Sequence, residues 1–149
     1  MTFLELLNSE NICFLKALGK KDALEELFQK LSGSEKVTDF QKLKEDLFYR
    51  ESLMSTGIGQ NVAVPHVRSK QVLSPLLLVG ISRDGIPDYP SPDSLPVHLI
   101  FLIAVSDSQQ AEYFYLVSGL VRKIKAKPVA DALVRAAGIE EAAAILREW

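Results

Sequence analysis

Two long runs of apolar residues, at positions 76–81 and 97–105, constrain the fold of this chain more than any other feature. Strands that face solvent on one side alternate apolar and polar residues, whereas unbroken apolar runs of this length are typical of strands buried on both faces. A shorter apolar run at 11–15 predicts a further buried strand. Segments with the spacing of amphipathic helices lie on either side of these runs. The sequence therefore predicts an α/β domain.

Several segments outside the apolar runs predict helices. In the first segment, Ser-Gly-Ser at 32–34 is expected to end the helix. The apolar residues that recur there at helical spacing are Ala23, Leu24, Leu27, Phe28 and Leu31. The second is predicted to begin at Asp39 and to carry Arg50 in or just after its last turn, which would fix the arginine on a rigid element. Near the C-terminus, Ser108 is predicted to cap a helix whose inward face includes Phe114, and shorter helices are expected from position 128 onward.

The composition fits one globular domain over residues 1–149, of which 48% are hydrophobic. With 17 basic and 19 acidic residues the net charge is −2, so there is no electrostatic reason to expect nucleic acid or an anionic membrane as a partner. The N-terminus lacks a signal-peptide pattern, and no apolar run reaches the roughly 20 residues of a membrane helix. The only cysteine, Cys13, is predicted to be a buried structural thiol. We expect a cytoplasmic protein without membrane insertion.

A histidine follows a short β-prone segment and a proline. Residues 62–64 read Val-Ala-Val, and Pro65, which has no N–H, is expected to end the pairing of this strand. His66 should then lie at the end of a strand, facing solvent or a cleft. An imidazole that is neutral near pH 7 can attack an electrophile without a separate base. His66 is therefore a candidate nucleophile.

The segment RESLMSTGIGQNVAVPH, residues 50–66, resembles the signature of the IIA domains of the bacterial phosphoenolpyruvate-dependent phosphotransferase system, in the fructose/mannitol and nitrogen-regulatory class. The order of a short strand, two helices, the signature, two apolar strands and C-terminal helices is similar over nearly the whole chain. The fold that we expect is a single α/β domain with a mixed sheet of about five strands flanked by helices on both faces.

The resemblance implies a phosphoryl relay. His66 would accept a phosphoryl group, usually on Nε2, from the histidine phosphocarrier protein, and would pass it to a IIB domain or use it as a regulatory signal. Arg50 matches the arginine that helps to hold the phosphoryl group. Ser55, Thr56 and the backbone at Gly57 are expected to add hydroxyl and amide donors. We expect no metal ion and no cofactor.

Three positions depart from the family pattern. Val67 follows the histidine where a small residue is usual. Tyr113 aligns with a second histidine of many members, and a tyrosine hydroxyl can donate a hydrogen bond but supplies no positive charge. His98, which falls where an acidic residue is common, is a candidate substitute for that second histidine, although a structural role at the start of a strand is the stronger interpretation.

Other interpretations of these residues remain open. Arg50 could pair with Glu51 or Asp46 instead of a ligand. The basic run at 122–127 fits the solvated last turn of a helix, with docking of a partner as a second interpretation. The whole chain could also be a regulatory module that binds a transporter or kinase, according to its phosphorylation state or without being phosphorylated. The sequence does not separate a sugar-specific subunit from the nitrogen-regulatory type.

Overall fold

The structure is a computed structural model that describes residues 2–149. Its strands are β1 (Ile12–Phe14), β2 (Gly57–Gly59), β3 (Val62–Ala63), β4 (His66–Ser69), β5 (Leu76–Ile86) and β6 (Val97–Ser106). Its α-helices are α1 (Phe3–Leu6), α2 (Lys20–Phe28), α3 (Phe40–Leu53), α4 (Gln110–Ala126), α5 (Ala130–Val134) and α6 (Ile139–Glu148).

The strands form one mixed sheet. β1 is parallel to β5, β5 is antiparallel to β6, and β6 is parallel to both β3 and β4. β2 forms an edge by pairing antiparallel with β3. The two long apolar runs, β5 and β6, are thus the central pair, as their lack of polar alternation predicts. The α/β class and the mixed sheet are confirmed, with β4 as a sixth strand beside the predicted five.

Two hydrophobic clusters lie on opposite faces of this sheet. Side chains that alternate along β5 and β6 divide between them: Val79 and Phe101 belong to the cluster beneath α4, α5 and α6, and Leu78 and Leu102 to the cluster beneath α2 and α3. The prediction of helices on both faces is therefore confirmed. Within residues 2–149, none of the helices is long and apolar enough to cross a membrane.

The chain between β3 and β4 places His66. Val62 and Ala63 pair with β6, Val64 and Pro65 leave the ladder, and His66 rejoins it opposite Ile103. The pairing of β3 ends before Pro65, as predicted, but it resumes at once, because proline lacks only the donor: its carbonyl accepts a hydrogen bond from the Ile103 N–H at 2.9 Å. His66 is consequently the first residue of β4 and does not simply follow the end of β3.

Helix α3 carries two of the signature residues. As predicted, Asp39 caps it, with Oδ1 accepting a hydrogen bond from the Lys42 N–H at 3.0 Å. Leu43 and Leu47 are buried on its inward face, and Glu51 continues that row into the last turn with only 5% of its surface exposed. Arg50 is half-buried beside it.

Two details of α4 differ from the prediction. The helix begins at Gln110, and the Ser108 hydroxyl interacts with that of Ser106 and not with the end of the helix. Phe114 is 65% exposed, whereas Leu116 is buried. Residues 116, 120 and 124 lie at spacings of four and therefore form the inward row, which leaves position 114 on the outer surface.

β5 extends beyond the apolar run at 76–81 that predicted it. β5 continues to Ile86 after a register shift between Ile81 and Ile86, and Gly85 there has φ +87°, a conformation that favours glycine. The connection to β6 therefore spans positions 87–96. It is not simply a surface loop, because Tyr89 is only 1% exposed and its hydroxyl contacts Thr56 within the signature.

Cys13 lies in β1 and is half-buried. Burial raises the pKa of its thiol to about 11, with the Lys30 cation opposing the shift and the Glu26 carboxylate adding to it. The thiol is thus protonated and unreactive at neutral pH, in line with a structural role.

Candidate functional site

The imidazole of His66 is fixed through its Nδ1 atom, which lies 2.6 Å from the carbonyl oxygen of Val64. A carbonyl can only accept, so Nδ1 carries the hydrogen and donates it. The neutral ring then has its lone pair on Nε2. This arrangement selects the nucleophilic nitrogen of His66.

Arg50 lies beside that nitrogen. Its Nη2 donates to His66 Nε2 at 3.2 Å, and its Nη1 donates to the carbonyl of Met54 at 3.3 Å. The carboxylates considered as alternative partners bind elsewhere: Glu51 binds Lys20 at 3.0 Å, and Asp46 binds Lys42 at 3.3 Å. The guanidinium is therefore directed at the imidazole and at any anion attached to it.

Tyr113 contacts His66 from the first turn of α4. The centroids of the two rings are 5.4 Å apart, at an interplanar angle of 54°. The guanidinium carbon of Arg68 lies 5.4 Å from the centroid of the Tyr113 ring. Burial raises the pKa of Tyr113, although the Arg50 and Arg68 cations oppose the shift, so the hydroxyl is protonated and can donate a hydrogen bond.

The surroundings of His66 favour its neutral form. Burial, which disfavours the imidazolium, lowers the pKa of His66, and the Arg50 cation acts in the same direction. The bond to the Val64 carbonyl and the Glu51 carboxylate oppose this shift without reversing it. At neutral pH the ring is thus an uncharged nucleophile with its lone pair next to a guanidinium.

The hydroxyls of Ser55 and Thr56 are bound within the protein. Ser55 Oγ donates to the Pro90 carbonyl at 2.7 Å, and Thr56 Oγ1 donates to Glu51 Oε1 at 2.6 Å. Gly57 packs so closely that a Cβ atom there would lie 2.2 Å from the Pro90 carbonyl oxygen. These residues were expected to donate to a phosphoryl group; in the structure Ser55 and Gly57 contact the 87–96 connection, and the Thr56 hydroxyl binds Glu51 of α3.

His98 lies away from the imidazole of His66. His66, on β4, pairs with Ile103 of β6. His98 lies five residues before Ile103 on β6, a distance of about 17 Å along the strand. The Nδ1 of His98 donates to the Ser82 carbonyl at 2.8 Å, next to the turn at Gly85. Of the two interpretations of His98, the structural role agrees with this hydrogen bond, and the register of β4 along β6 keeps its side chain apart from that of His66.

A cleft of about 740 Å³ adjoins the site and is lined in part by Arg50 and Tyr113. Its other basic residues are Lys42, Arg68 and Lys70. The sequence reasoning missed Arg68, although there was a signal: residues two apart on a strand share a face, so His66 and Arg68 had to point the same way once β4 was known to begin at His66. The cleft is open enough to admit another protein's reactive group.

Comparisons with known proteins show the family to which the chain belongs. The sequence model of the family described as phosphoenolpyruvate-dependent sugar phosphotransferase system, EIIA 2, matches residues 5–149. The chain belongs to this family, whose members are components of the phosphotransferase system.

Three relatives illustrate the range of the family. The fructose-specific EIIABC component of Bacillus subtilis is 32% identical over 137 residues, which are 91% of this chain but only 21% of that protein. The crystal structure of nitrogen regulatory protein IIA-Ntr from Neisseria meningitidis is 32% identical with a TM-score of 0.84, over 96% of this chain and 97% of that one. Enzyme IIA mannitol of Escherichia coli, in its complex with phosphorylated enzyme IIB mannitol, shares the fold at 21% identity and a TM-score of 0.74, over 96% of this chain and 98% of that one.

Proposed function

We propose that this protein is a phosphocarrier in which Nε2 of His66 accepts a phosphoryl group from the phosphohistidine of the histidine phosphocarrier protein. The observation that carries the proposal is the pair of contacts on one ring: Nδ1 donates to the Val64 carbonyl, and Nε2 faces the Arg50 guanidinium. The activity is that of a protein-histidine phosphotransferase component. Residues 1–149 act as one IIA domain in a cytoplasmic protein.

The transfer needs little besides alignment and charge stabilisation. The Nε2 lone pair forms a bond to phosphorus while the P–N bond of the donor breaks and returns its electron pair to the donor imidazole. The Nδ1 hydrogen stays on His66, so no base is required. The positive charge that develops on the ring is stabilised by the Val64 carbonyl, and the charge on the phosphoryl oxygens by Arg50.

The next acceptor is a IIB domain in a sugar-uptake relay, or the phosphorylated protein itself signals to a transporter or kinase. The fructose-specific relative supports the first role and the nitrogen regulatory relative supports the second. A phosphorylation-deficient regulatory module is a second candidate, and Tyr113 favours it, because it leaves position 113 without the positive charge of a second histidine.

Labelling separates these possibilities. The protein is incubated with enzyme I, the histidine phosphocarrier protein and ³²P-labelled phosphoenolpyruvate, in parallel with His66→Ala and His98→Ala. Acid-labile, base-stable label that is lost in His66→Ala and kept in His98→Ala supports the phosphocarrier. Label kept in His66→Ala contradicts it. A folded protein that remains unlabelled yet binds a specific transporter or kinase indicates the second candidate.

A further inference from the structure

A buried carboxylate lies behind the imidazole of His66 and has no part in the transfer described above. Glu51 Oε1 accepts the Thr56 hydroxyl at 2.6 Å, and Oε2 accepts the Thr56 N–H at 2.9 Å. Oε2 also binds Lys20 Nζ at 3.0 Å, and the Tyr89 hydroxyl lies 3.3 Å from Oε1 and 2.8 Å from Thr56 Oγ1. Both oxygens of Glu51 thus accept hydrogen bonds, and the Lys20 ammonium pairs with one of them, so this buried side chain has partners on every side.

This network is connected to His66 through one residue. The Thr56 carbonyl accepts the Val64 N–H at 2.9 Å, and the Val64 carbonyl accepts Nδ1–H of His66 at 2.6 Å. Val64 lies between β3 and β4, outside the strand ladders, and the following residue, Pro65, has no N–H to donate. The hydrogen bond that the Val64 N–H donates to the Thr56 carbonyl therefore holds Val64 in place on its N-terminal side.

We propose that Glu51 is a positioning residue for His66: by fixing Thr56, and through it Val64, it keeps the hydrogen on Nδ1 and the lone pair on Nε2. The relevance to phosphoryl transfer rests on the proposed function, but the effect on the imidazole does not. Glutamine has the same shape but only one acceptor atom, and it cannot accept from both the N–H and the hydroxyl of Thr56 while balancing Lys20.

The imidazole tautomer of His66 is measured by ¹⁵N NMR at a pH where the ring is neutral, in the unmodified protein and in Glu51→Gln. The unmodified protein should show Nδ1 protonated and Nε2 unprotonated. Glu51→Gln should show a mixture of the two tautomers. His98 is an internal reference, since its Nδ1 donates to the Ser82 carbonyl outside this network and its signals should not change.

Glu26→Gln is a matched control. Glu26 also accepts backbone N–H groups, from Lys16 at 3.0 Å and Ala17 at 2.9 Å, but it lies on α2 and binds the segment that follows β1, not Thr56. The Glu26→Gln variant should leave the tautomer of His66 unchanged, even if it lowers the stability of the protein. If Glu51→Gln does not fold, Thr56→Val, which removes the hydroxyl, and Thr56→Ser, which restores it, decide the question: only the first should mix the tautomers.

Phosphorylation rates then connect the tautomer to function. Glu51→Gln and Thr56→Val should each slow phosphorylation of His66 at least about tenfold at saturating donor, while Thr56→Ser and Glu26→Gln remain near the unmodified rate. An unchanged tautomer in both Glu51→Gln and Thr56→Val would overturn the proposal. A protein that is never labelled, but whose tautomer changes as expected, would refute the phosphocarrier function and leave the positioning role of Glu51 supported.

Discussion

Replacing Gly57 with alanine would place a Cβ atom 2.2 Å from the carbonyl oxygen of Pro90 and 3.0 Å from Ser91 Oγ. Carbon and oxygen atoms that are not bonded rest more than 3 Å apart, so the two segments must separate by about 1 Å. The obstructing atom belongs to the backbone and cannot rotate away as a flexible side chain would. The substitution therefore displaces either β2 or the 87–96 connection.

Both possible displacements break contacts that support the site. Pro90 accepts the Ser55 hydroxyl at 2.7 Å and follows Tyr89, which is bonded to Thr56. Overpacking of this kind costs about 1–3 kcal/mol, which corresponds to a loss of roughly 3–10 °C in Tm for a domain of this size. Because a shift of about 1 Å in a reacting group can slow a reaction by about 100-fold, Gly57→Ala should also phosphorylate at least about tenfold more slowly.

Urea and thermal unfolding, together with the labelling assay, test this reasoning. Gly119→Ala is the control, because the nearest atom to its new Cβ would be Arg122 Nη2 at 3.9 Å and the residue lies inside α4. It should stabilise the protein by about 0.5–1 kcal/mol through helix propensity. A Gly57→Ala protein with the unfolding midpoint and phosphorylation rate of the unmodified chain would refute the argument, since the Pro90 carbonyl would then move without cost.

Three further predictions concern the site. Arg50→Met should slow phosphoryl acceptance by roughly 10- to 100-fold, since a hydrogen bond to a charged group contributes about 1.5–3 kcal/mol; a quench-flow rate within twofold of the unmodified protein would contradict this. Because burial lowers the pKa of His66 below its usual 6.5, phosphorylation should persist to lower pH than that value predicts, and an NMR titration midpoint at or above 6.5 would show the reasoning to be wrong. The same shift means that the unfolded chain binds the extra proton first, so stability should fall as the pH drops below 6.5. Tyr113→His should raise the rate of phosphorylation, but by less than about tenfold at pH 7.5, and a larger increase in the labelling assay would mean that position 113 limits the natural site.

Local rules predicted much of the fold. Continuous apolar runs identified the central strands, and helical periodicity together with Asp39 identified α3 with Arg50 in its last turn. These features depend on short-range patterns, which the sequence displays directly. The resemblance of residues 50–66 to a known signature then implied functional roles for these residues, which local patterns alone do not predict.

Contacts between distant segments were beyond the sequence reasoning. The Ser55 hydroxyl binds the Pro90 carbonyl and Tyr89 contacts Thr56 because the 87–96 connection folds back onto this segment, which no local pattern indicates. The separation of His98 from His66 depends on the register of β4 along β6. Register depends on matching the buried faces of both strands and on the turns that connect them, so one strand's residues do not define it alone.

The modest effect expected for Tyr113→His follows from the charges around position 113. The Arg50 and Arg68 cations both lower the pKa of Tyr113, and they would lower that of a histidine in the same place, leaving it largely neutral at pH 7.5. Arg68, which the start of β4 at His66 places on the same strand face, already supplies a positive charge next to position 113. Removing Arg68 in two backgrounds tests this argument: Arg68→Met in the Tyr113→His background should raise the pKa of the new histidine, whereas Arg68→Met alone should slow phosphorylation because nothing replaces the lost charge.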